Sequence, residues 1–276
     1  MPCTIRVLTS EGLQPADYTG ESLNAAARYE PANGIYTVGN TFDTTKALKL
    51  TAHLDRMEDS ARRAHIPLTL DRSRLRAALR ELITLAGYGD VRYRITVPAD
   101  QPERFILSVE PFKGVPSEVI ANGILVITAP DSARQNAEAK TTGWMHDREK
   151  LESTLPPGIY TSLLLDAAGH VLEGATSNFY AILDGVLYTA GEGVLPGIGQ
   201  QIALEVAAEV LPVRRQPIHV NDVPRVSEAF ITSASRGIVP VVEIDGIKLG
   251  DGTPGVLTQQ LRERYEVAKQ KYLEEL

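Results

Sequence analysis

The chain has 276 residues, with 43% hydrophobic and 23% charged side chains and a formal net charge of −7 at pH 7. Such a composition is typical of a globular protein with one large domain or two smaller ones. The negative charge argues against nucleic acid as the main partner, because phosphate backbones require a basic surface, and the single cysteine, Cys3, excludes an intramolecular disulfide and a cysteine-based metal cluster.

The first residues, M-P-C-T-I-R-V-L, lack the basic start and the long apolar run of a signal peptide. No apolar stretch approaches the roughly 20 residues that a membrane-spanning helix needs. We therefore expect a cytoplasmic protein that does not enter a membrane. The five histidines show no metal-ligand spacing, and His146 is more often a surface or supporting residue than a ligand, so no metal site is expected.

Two helices are predicted in the first part of the chain. Short strands and turns extend to about Asn40. From Leu48 to His65 apolar residues recur at helical spacing, which predicts an amphipathic helix that ends before Pro67. A second helix is predicted from Arg72 to Ala86, where the following Gly87 ends it.

The segment V-R-Y-R-I-T-V, which begins at Val91, alternates strictly enough to predict a strand with Arg92, Arg94 and Thr96 on one face. R-F-I-L-S-V-E-P-F is expected to pair with it. Strands with two helices predict a small α+β domain over residues 1–112. Turn formers then predict a linker over 113–122.

The remainder of the chain, residues 123–276, predicts a larger domain that is mostly sheet. G-I-L-V-I-T-A and G-I-Y-T-S-L-L-L-D are predicted strands, and Asp184-Gly185 predicts a hairpin turn between two apolar runs. A helix is predicted to begin near Gly197, followed by a strand, a loop and a strand. A charged helix is predicted from about Gly255 to the end.

Two residues between positions 139 and 178 indicate a specific chemistry. Lys140 lies in a small-residue setting, Glu173 lies in a glycine-bounded turn, and an apolar strand separates them. A pyridoxal phosphate enzyme uses a lysine amine to form an imine and a carboxylate to keep the pyridine nitrogen protonated. Taken alone, a lysine is more often an exposed surface residue, and the glutamate could equally be an ordinary turn carboxylate.

Further segments, in the same order along the chain, resemble the fold-type IV pyridoxal phosphate enzymes, which include branched-chain aminotransferases, D-amino-acid aminotransferases and aminodeoxychorismate lyases. H-L-D-R-M resembles the family segment whose arginine binds the cofactor phosphate, which is Arg56 here. Lys140 falls where the Schiff-base lysine belongs. E-G-A-T-S-N resembles the turn that places a glutamate, here Glu173, against the pyridine nitrogen, and its last residue, Asn178, joins the cofactor-binding set.

Two loops resemble the family's phosphate-binding segments. V-L-P-G-I-G resembles a helix N-terminus whose amides and dipole favour an anion, and F-I-T-S-A-S-R-G-I-V-P-V resembles the second phosphate loop. Arg56 would add a forked guanidinium that is always charged. The cofactor-binding residues that the two loops imply are Gly197, Ile198, Gly199, Ser233, Ala234 and Ser235.

The chain departs from each subclass of this family, so the resemblance leaves the substrate open. The R-x-H carboxylate trap of D-amino-acid aminotransferases is absent from T-V-P-A-D-Q-P-E-R-F, although Arg104 lies close. Met145 stands where branched-chain aminotransferases carry a tyrosine, and Val38 stands where the lyases carry the second threonine of a pair. E-G-A-T-S-N and Tyr36 are closer to the D-amino-acid enzymes.

The resemblance implies an α+β fold of two domains, with a barrel-like sheet in the larger one, and pyridoxal 5'-phosphate as cofactor. It implies an aminotransferase that moves an amino group between a donor and a 2-oxo acid. The donor is either an amino acid, of the D or the L series, or an amine. The alternatives are a pyridoxal-phosphate-dependent lyase of the aminodeoxychorismate type and a non-catalytic protein that kept the fold.

Family members are typically homodimers, so Tyr36 or Arg104 could serve a neighbouring subunit's site. The candidates for binding the substrate are Tyr36, Arg92, Arg94, Arg104 and Arg236, although each arginine taken singly is more often structural.

Overall fold

The computed structural model describes residues 3–276. The elements of the first part of the chain are β1 (Thr4–Thr9), β2 (Gly12–Pro15), α1 (Leu23–Ala27), β3 (Gly34–Phe42), β4 (Lys46–Leu48), α2 (Leu50–Arg63), α3 (Arg72–Ala86), β5 (Val91–Pro98) and β6 (Phe105–Pro111). Those that follow are α4 (Ser117–Asn122), β7 (Ile124–Ala129), α5 (Thr142–Ser153), β8 (Ile159–Leu165), β9 (Val171–Gly174), β10 (Ser177–Leu183), β11 (Val186–Tyr188), α6 (Ile198–Ala208), β12 (Val213–Arg214), a 3-10 helix (Val220–Arg225), β13 (Glu228–Ser233), β14 (Gly237–Ile244), β15 (Ile247–Lys248), α7 (Val256–Gln270) and β16 (Leu273–Glu275).

The chain divides into two compact units. The first contains the residues up to Lys113 together with Ala139–Asp147 and Tyr272–Leu276. The second contains Gly114–Glu138 and Arg148–Lys271. Lys140 therefore belongs to the first unit and Glu173 to the second.

The division differs from the contiguous domains expected over 1–112 and 123–276, because two short later segments belong to the first unit. The expected linker over 113–122 is also more regular than its turn formers indicate. It contains the six-residue helix α4, which Pro116 precedes and Gly123, at a φ of 73°, ends. Proline before a helix and glycine after it delimit a helix as well as they delimit a turn.

An antiparallel sheet of seven strands, in the order β16-β4-β3-β5-β6-β1-β2, forms the first unit. Helices α2 and α3 cover one face of it, and both predicted helices are confirmed. Strand β5 presents Val91, Tyr93, Ile95 and Val97 to the same core, as its alternation predicts. The two helices contribute Leu50, Leu54, Met57, Ala61, Leu75, Ala78, Leu79, Leu82 and Ile83 to this core.

The sheet of the second unit closes on itself. Strand β9 pairs with both β8 and β10, so that β10, β13, β14, β7, β8 and β9 form a ring of six strands. The barrel-like sheet expected for this part of the chain is thereby confirmed. Helices α6 and α7 pack against each other and against β13 and β14. The predicted hairpin turn is also confirmed, since Asp184 and Gly185 both have positive φ angles, of 50° and 74°, between β10 and β11.

Helix α5, which begins two residues after Lys140, was not expected from the sequence, which indicates mostly sheet in this region. Along its twelve residues only Thr142 and Met145 are buried. Its apolar side chains therefore form no stripe at the helical period, and that stripe is the main signal by which a helix is recognised in a sequence.

The predicted helix at the C-terminus ends early. Helix α7 stops at Gln270, and Leu273–Glu275 pair in antiparallel fashion with β4 of the first unit's sheet. The last residue, Leu276, is buried in the core beneath that sheet. Strand pairing and burial thus override the helical propensity of a charged tail.

The C-terminal strand also supplies the start of α2 with a hydrogen-bond acceptor. Lys49, before the helix, provides no side-chain cap. Instead the carboxylate of Glu274 accepts the backbone N–H of Thr51 at 3.1 Å and lies 2.7 Å from Nη2 of Arg76. Partial burial raises the pKa of Glu274, but the hydrogen bonds from Thr51 and Arg76 outweigh it and hold the pKa below its usual value.

We expect Glu274→Ala to lower the free energy of unfolding by about 1 kcal/mol at pH 7, because α2 loses its N-terminal acceptor. A carboxyl group with a lowered folded-state pKa stabilises the protein above its unfolded pKa of about 4.3, and this contribution disappears as the pH falls through the folded pKa. Urea denaturation should therefore show a difference from wild type that shrinks at acidic pH. A difference that stays constant, or that the exposed Glu263→Ala reproduces, would contradict this role.

Candidate active site

The main chain of Lys140 is fixed on both sides. Its N–H donates to Oγ of Ser60 on α2 at 3.1 Å, and its carbonyl accepts the N–H of Tyr36 on β3 at 3.0 Å. The side-chain Nζ lies 4.6 Å from the centroid of the Tyr36 ring. The lysine thus extends from a rigid base beside an aromatic ring, in the same unit as Arg56.

Helix α2 places three polar side chains on one face, since His53, Arg56 and Ser60 are spaced by three and four residues. Nη2 of Arg56 donates to Oγ1 of Thr37 at 3.2 Å, and the same hydroxyl lies 2.7 Å from Nδ1 of His53. Arg56 is partly exposed, whereas His53 and Thr37 are completely buried. Neither His53 nor Thr37 was singled out from the sequence as a site residue.

Positive charge accumulates around this helix face. Burial, followed by the nearby charges of Arg56 and Lys140, holds the pKa of His53 well below its usual value. His53 is therefore neutral, and the two cations that depress its pKa are the two residues of this unit that the resemblance assigns to the cofactor. Such a surface suits an anionic ligand.

In the second unit, Glu173 on β9 forms a buried ion pair. One oxygen accepts Nη1 of Arg134 at 3.0 Å, and the two side chains are only 5% and 4% exposed. The other oxygen accepts the backbone N–H of Leu195 at 3.1 Å. Arg134 was missed in the sequence, because it lies in an irregular loop and its pairing with a residue 39 positions away leaves no local pattern.

Asn178 lies directly opposite Glu173 on the neighbouring strand. Its Nδ2 donates to the carbonyl of Leu195 at 2.8 Å. The two residues therefore hold the N–H and the C=O of one residue between them. A Cβ on Gly197 would collide with Oδ1 of the asparagine, so a larger residue there would displace the Asn178 side chain.

The two predicted phosphate loops meet at the start of α6. Gly197 is the N-cap residue of the helix. It has no side chain that could accept a hydrogen bond from the amides of the first turn. A Cβ on Gly199 would lie 2.9 Å from the carbonyl carbon and oxygen of Ser233. The first turn of the helix consequently packs against the backbone of the loop that continues through Ala234 and the partly exposed Ser235.

Arg236 ties that second loop to the turn after Glu173. Its Nε donates to Oγ of Ser233 at 2.9 Å, and its Nη2 donates to the carbonyl and the hydroxyl of Thr176 at 2.8 and 2.9 Å. Nη1 lies 3.5 Å from the hydroxyl of Tyr160. The guanidinium thus holds two segments of the second unit together.

The other three candidate arginines lie in the first unit in different settings. Arg94 is buried in an ion pair with Glu30, with Nε at 2.7 Å from the carboxylate. Arg92 pairs with Glu110 at 3.3 Å. Arg104 is exposed, and its Nη1 donates to the side chain of Gln101 at 2.7 Å.

Tyr36 is buried and packs with Ala27 and Met145, and Val38 lies against the same cluster.

Within residues 3–276, no helix is both long and apolar enough to cross a membrane. Nor do the described residues contain a group of three or more histidine, cysteine or acidic side chains that could bind a metal ion.

The structure thus groups most of the predicted site residues into two sets, each within one unit, whereas Arg92, Arg94 and Arg104 belong to neither set. Lys140, Tyr36 and Arg56 form the first set, joined by the unpredicted Ser60, Thr37 and His53. The second set is linked through Leu195, the start of α6 and Arg236. Its predicted members are Glu173, Asn178, Gly197, Ile198, Gly199, Ser233, Ala234, Ser235 and Arg236.

Comparison with known proteins identifies the family of the chain. The amino-transferase class IV family model matches residues 34–244. A branched-chain-amino-acid aminotransferase of Pseudomonas aeruginosa is 27% identical over 258 residues, covering 84% of this chain and 82% of the relative. A D-alanine aminotransferase of Listeria monocytogenes is 27% identical over 262 residues, covering 86% and 87%.

The fold is shared with a branched-chain amino acid aminotransferase from T.th. whose structure was solved with pyridoxamine 5'-phosphate. The two structures agree with a TM-score of 0.82 over 98% of both chains, at 19% identity. The family match covers most of the chain, and the relatives of known activity are aminotransferases. The chain therefore belongs to the class IV aminotransferases, which depend on pyridoxal 5'-phosphate.

Proposed function

We propose that this aminotransferase binds pyridoxal 5'-phosphate through Lys140, Arg56, Glu173 and the two phosphate loops. It transfers an amino group between an amino acid and a 2-oxo acid. The observation that carries the proposal is the close packing of the two loops at the start of α6. Leu195, just before this helix, donates its N–H to the buried, ion-paired carboxylate of Glu173 and so links that carboxylate to the loops.

The residues of the second unit fit a phosphorylated pyridine. Without side chains at Gly197 and Gly199, the first amides of α6 can meet an anion at the positive end of the helix. Glu173 accepts hydrogen bonds from Arg134 and from the backbone of Leu195, and a carboxylate can accept several donors at once. It can therefore accept the N–H of a protonated ring while it stays paired with Arg134.

When bound, pyridoxal 5'-phosphate supplies an aldehyde that condenses with amines and a ring that accepts electrons. Lys140 provides the attachment amine, and its Nζ carries a proton to and from the substrate's α-carbon. Glu173 holds a proton on the ring nitrogen, and the charge of Arg134 favours the carboxylate form that does so. Arg56 binds the phosphate with a fork that one hydrogen bond to Thr37 already orients.

The substrate is proposed to be an amino acid of either series, because both a branched-chain and a D-alanine aminotransferase are among the relatives. A lyase of the aminodeoxychorismate type is not favoured by these relatives. Tyr36, beside Lys140, is proposed to contact the substrate. Among the arginines we propose Arg104 for the substrate carboxylate, since its guanidinium is exposed while carboxylates already pair with Arg92 and Arg94.

We also propose a homodimer, as the family resemblance implies, and a cytoplasmic location. The single, buried Cys3 supports the location, because proteins of reducing compartments need no disulfides. Sedimentation of the purified protein at several concentrations tests the assembly. A monomer at every concentration would contradict it.

The reaction is tested by adding single amino acids to the purified protein loaded with cofactor. We expect at least one D- or L-amino acid to convert the visible cofactor band to that of the aminated form, and a 2-oxo acid to restore it. Release of pyruvate from aminodeoxychorismate without an acceptor would identify a lyase instead. If no amino acid in a panel of both series shifts the band, transamination is contradicted.

Glu173→Gln should lower the rate of band conversion on the order of a hundredfold or more, because the neutral amide no longer holds the ring nitrogen protonated. The cofactor should still attach to Lys140. The exposed Glu192→Gln, in the segment that leads to the same loop, is the matched control and should react at the wild-type rate. Equal rates for both variants would remove Glu173 from the mechanism.

Gly199→Ala should weaken cofactor binding roughly tenfold, because a Cβ at 2.9 Å from the Ser233 backbone forces the two loops apart. Equilibrium dialysis against pyridoxal 5'-phosphate measures this loss. Gly114→Ala, where a Cβ meets no atom within 4 Å, provides the control. Unchanged affinity in the Gly199 variant would show that the loops need not touch.

A further inference from the structure

His53 lies at the inner end of a buried hydrogen-bond chain whose outer end is Arg56. Its Nδ1 is 2.7 Å from Oγ1 of Thr37, and that oxygen accepts Nη2 of Arg56 at 3.2 Å. Whichever ring nitrogen carries the proton, the short contact fixes the Thr37 hydroxyl and leaves a lone pair for the arginine. One rigid helix, α2, carries both ends of the chain, and β3 carries its centre.

A histidine is a costly choice for this position if only the fold is considered. The side chain is completely buried, and its Nε2 has no hydrogen-bond partner within residues 3–276. An apolar residue of similar size would avoid that unpaired buried nitrogen. The imidazole is neutral, because burial and the charges of Arg56 and Lys140 hold its pKa well below the usual value. It therefore adds no charge of its own to the helix face.

Resting on the proposed role of Arg56, we propose that His53 is a positioning residue that acts through Thr37 to hold the Arg56 guanidinium in the orientation that binds the cofactor phosphate. The arginine side chain is long and partly exposed, so that in the absence of an anchor it loses considerable rotamer freedom on binding. Anchoring Nη2 at Thr37 orders the fork beforehand.

The test compares the binding of pyridoxal 5'-phosphate with that of pyridoxal, which lacks the phosphate. The dissociation constant of pyridoxal is divided by that of pyridoxal 5'-phosphate, both measured by equilibrium dialysis. This ratio gives the phosphate preference of each variant without any assay of activity. Arg56→Ala should lower this ratio on the order of a hundredfold, and Thr37→Val and His53→Leu should each lower it roughly tenfold. Thr37→Ser, which keeps the hydroxyl, and His53→Asn, whose side-chain amide can take the place of Nδ1, should retain most of it.

The controls separate positioning from folding. Thr41→Val changes another buried threonine of β3 that bonds Asp90 and Val91, and it should leave the ratio unchanged. His53→Leu should unfold at the same temperature as wild type or higher, since it removes the unpaired nitrogen. Equal weakening of both ligands would indicate a purely structural role and overturn the inference.

The inference and the proposed function fail in different ways. If Arg56→Ala leaves the phosphate preference unchanged, the proposed role of Arg56 is wrong and the positioning role is lost with it. If Arg56→Ala lowers the ratio while Thr37→Val and His53→Leu do not, Arg56 binds the phosphate unaided. In that case the positioning role alone is overturned.

Discussion

Glu173 and Asn178 face each other on neighbouring strands and hold the same residue, accepting the N–H of Leu195 and donating to its carbonyl. This clamp fixes where the chain enters α6. Asn178 approaches Gly197 so closely that a Cβ there would displace the asparagine side chain, and the turn that follows brings Gly199 against the backbone of Ser233. A carboxylate, an uncapped helix start and a second loop are thereby held in one arrangement by main-chain contacts.

The first unit uses a similar device for its own residues. The peptide groups of Lys140 are bonded to Ser60 and Tyr36, so that both a helix and a strand determine where the amine begins. Arg56 is anchored on Thr37 at the same helix face. In each unit the groups assigned to the chemistry extend from backbone that hydrogen bonds hold in place. Such positioning in advance of binding favours the reaction, because less binding energy is then needed to order the site.

Periodicity and motif order were sufficient for much of this description. The apolar spacing predicted α2 and α3, the alternation of β5 placed its core face, and the family resemblance marked the two loops that meet at α6. Contacts between residues that are far apart in the sequence could not be predicted from periodicity or motif order. Nothing near Arg134 indicates its pairing with Glu173, the weak apolar pattern hid α5, and the strand formed by Leu273–Glu275 depends on the edge strand β4, far earlier in the chain. The arginine candidates could be named from charge alone, but the carboxylates that pair with Arg92 and Arg94 come from other elements.

Lys140 is proposed to be the amine that holds the cofactor. Borohydride reduction of the purified protein with bound pyridoxal 5'-phosphate, followed by proteolysis and mass spectrometry, tests it directly. We expect one phosphopyridoxyl group per chain, on the peptide that contains Lys140, and no such group in a Lys140→Ala protein. Modification of another lysine, with the exposed Lys150 as the nearest alternative along the chain, would contradict it.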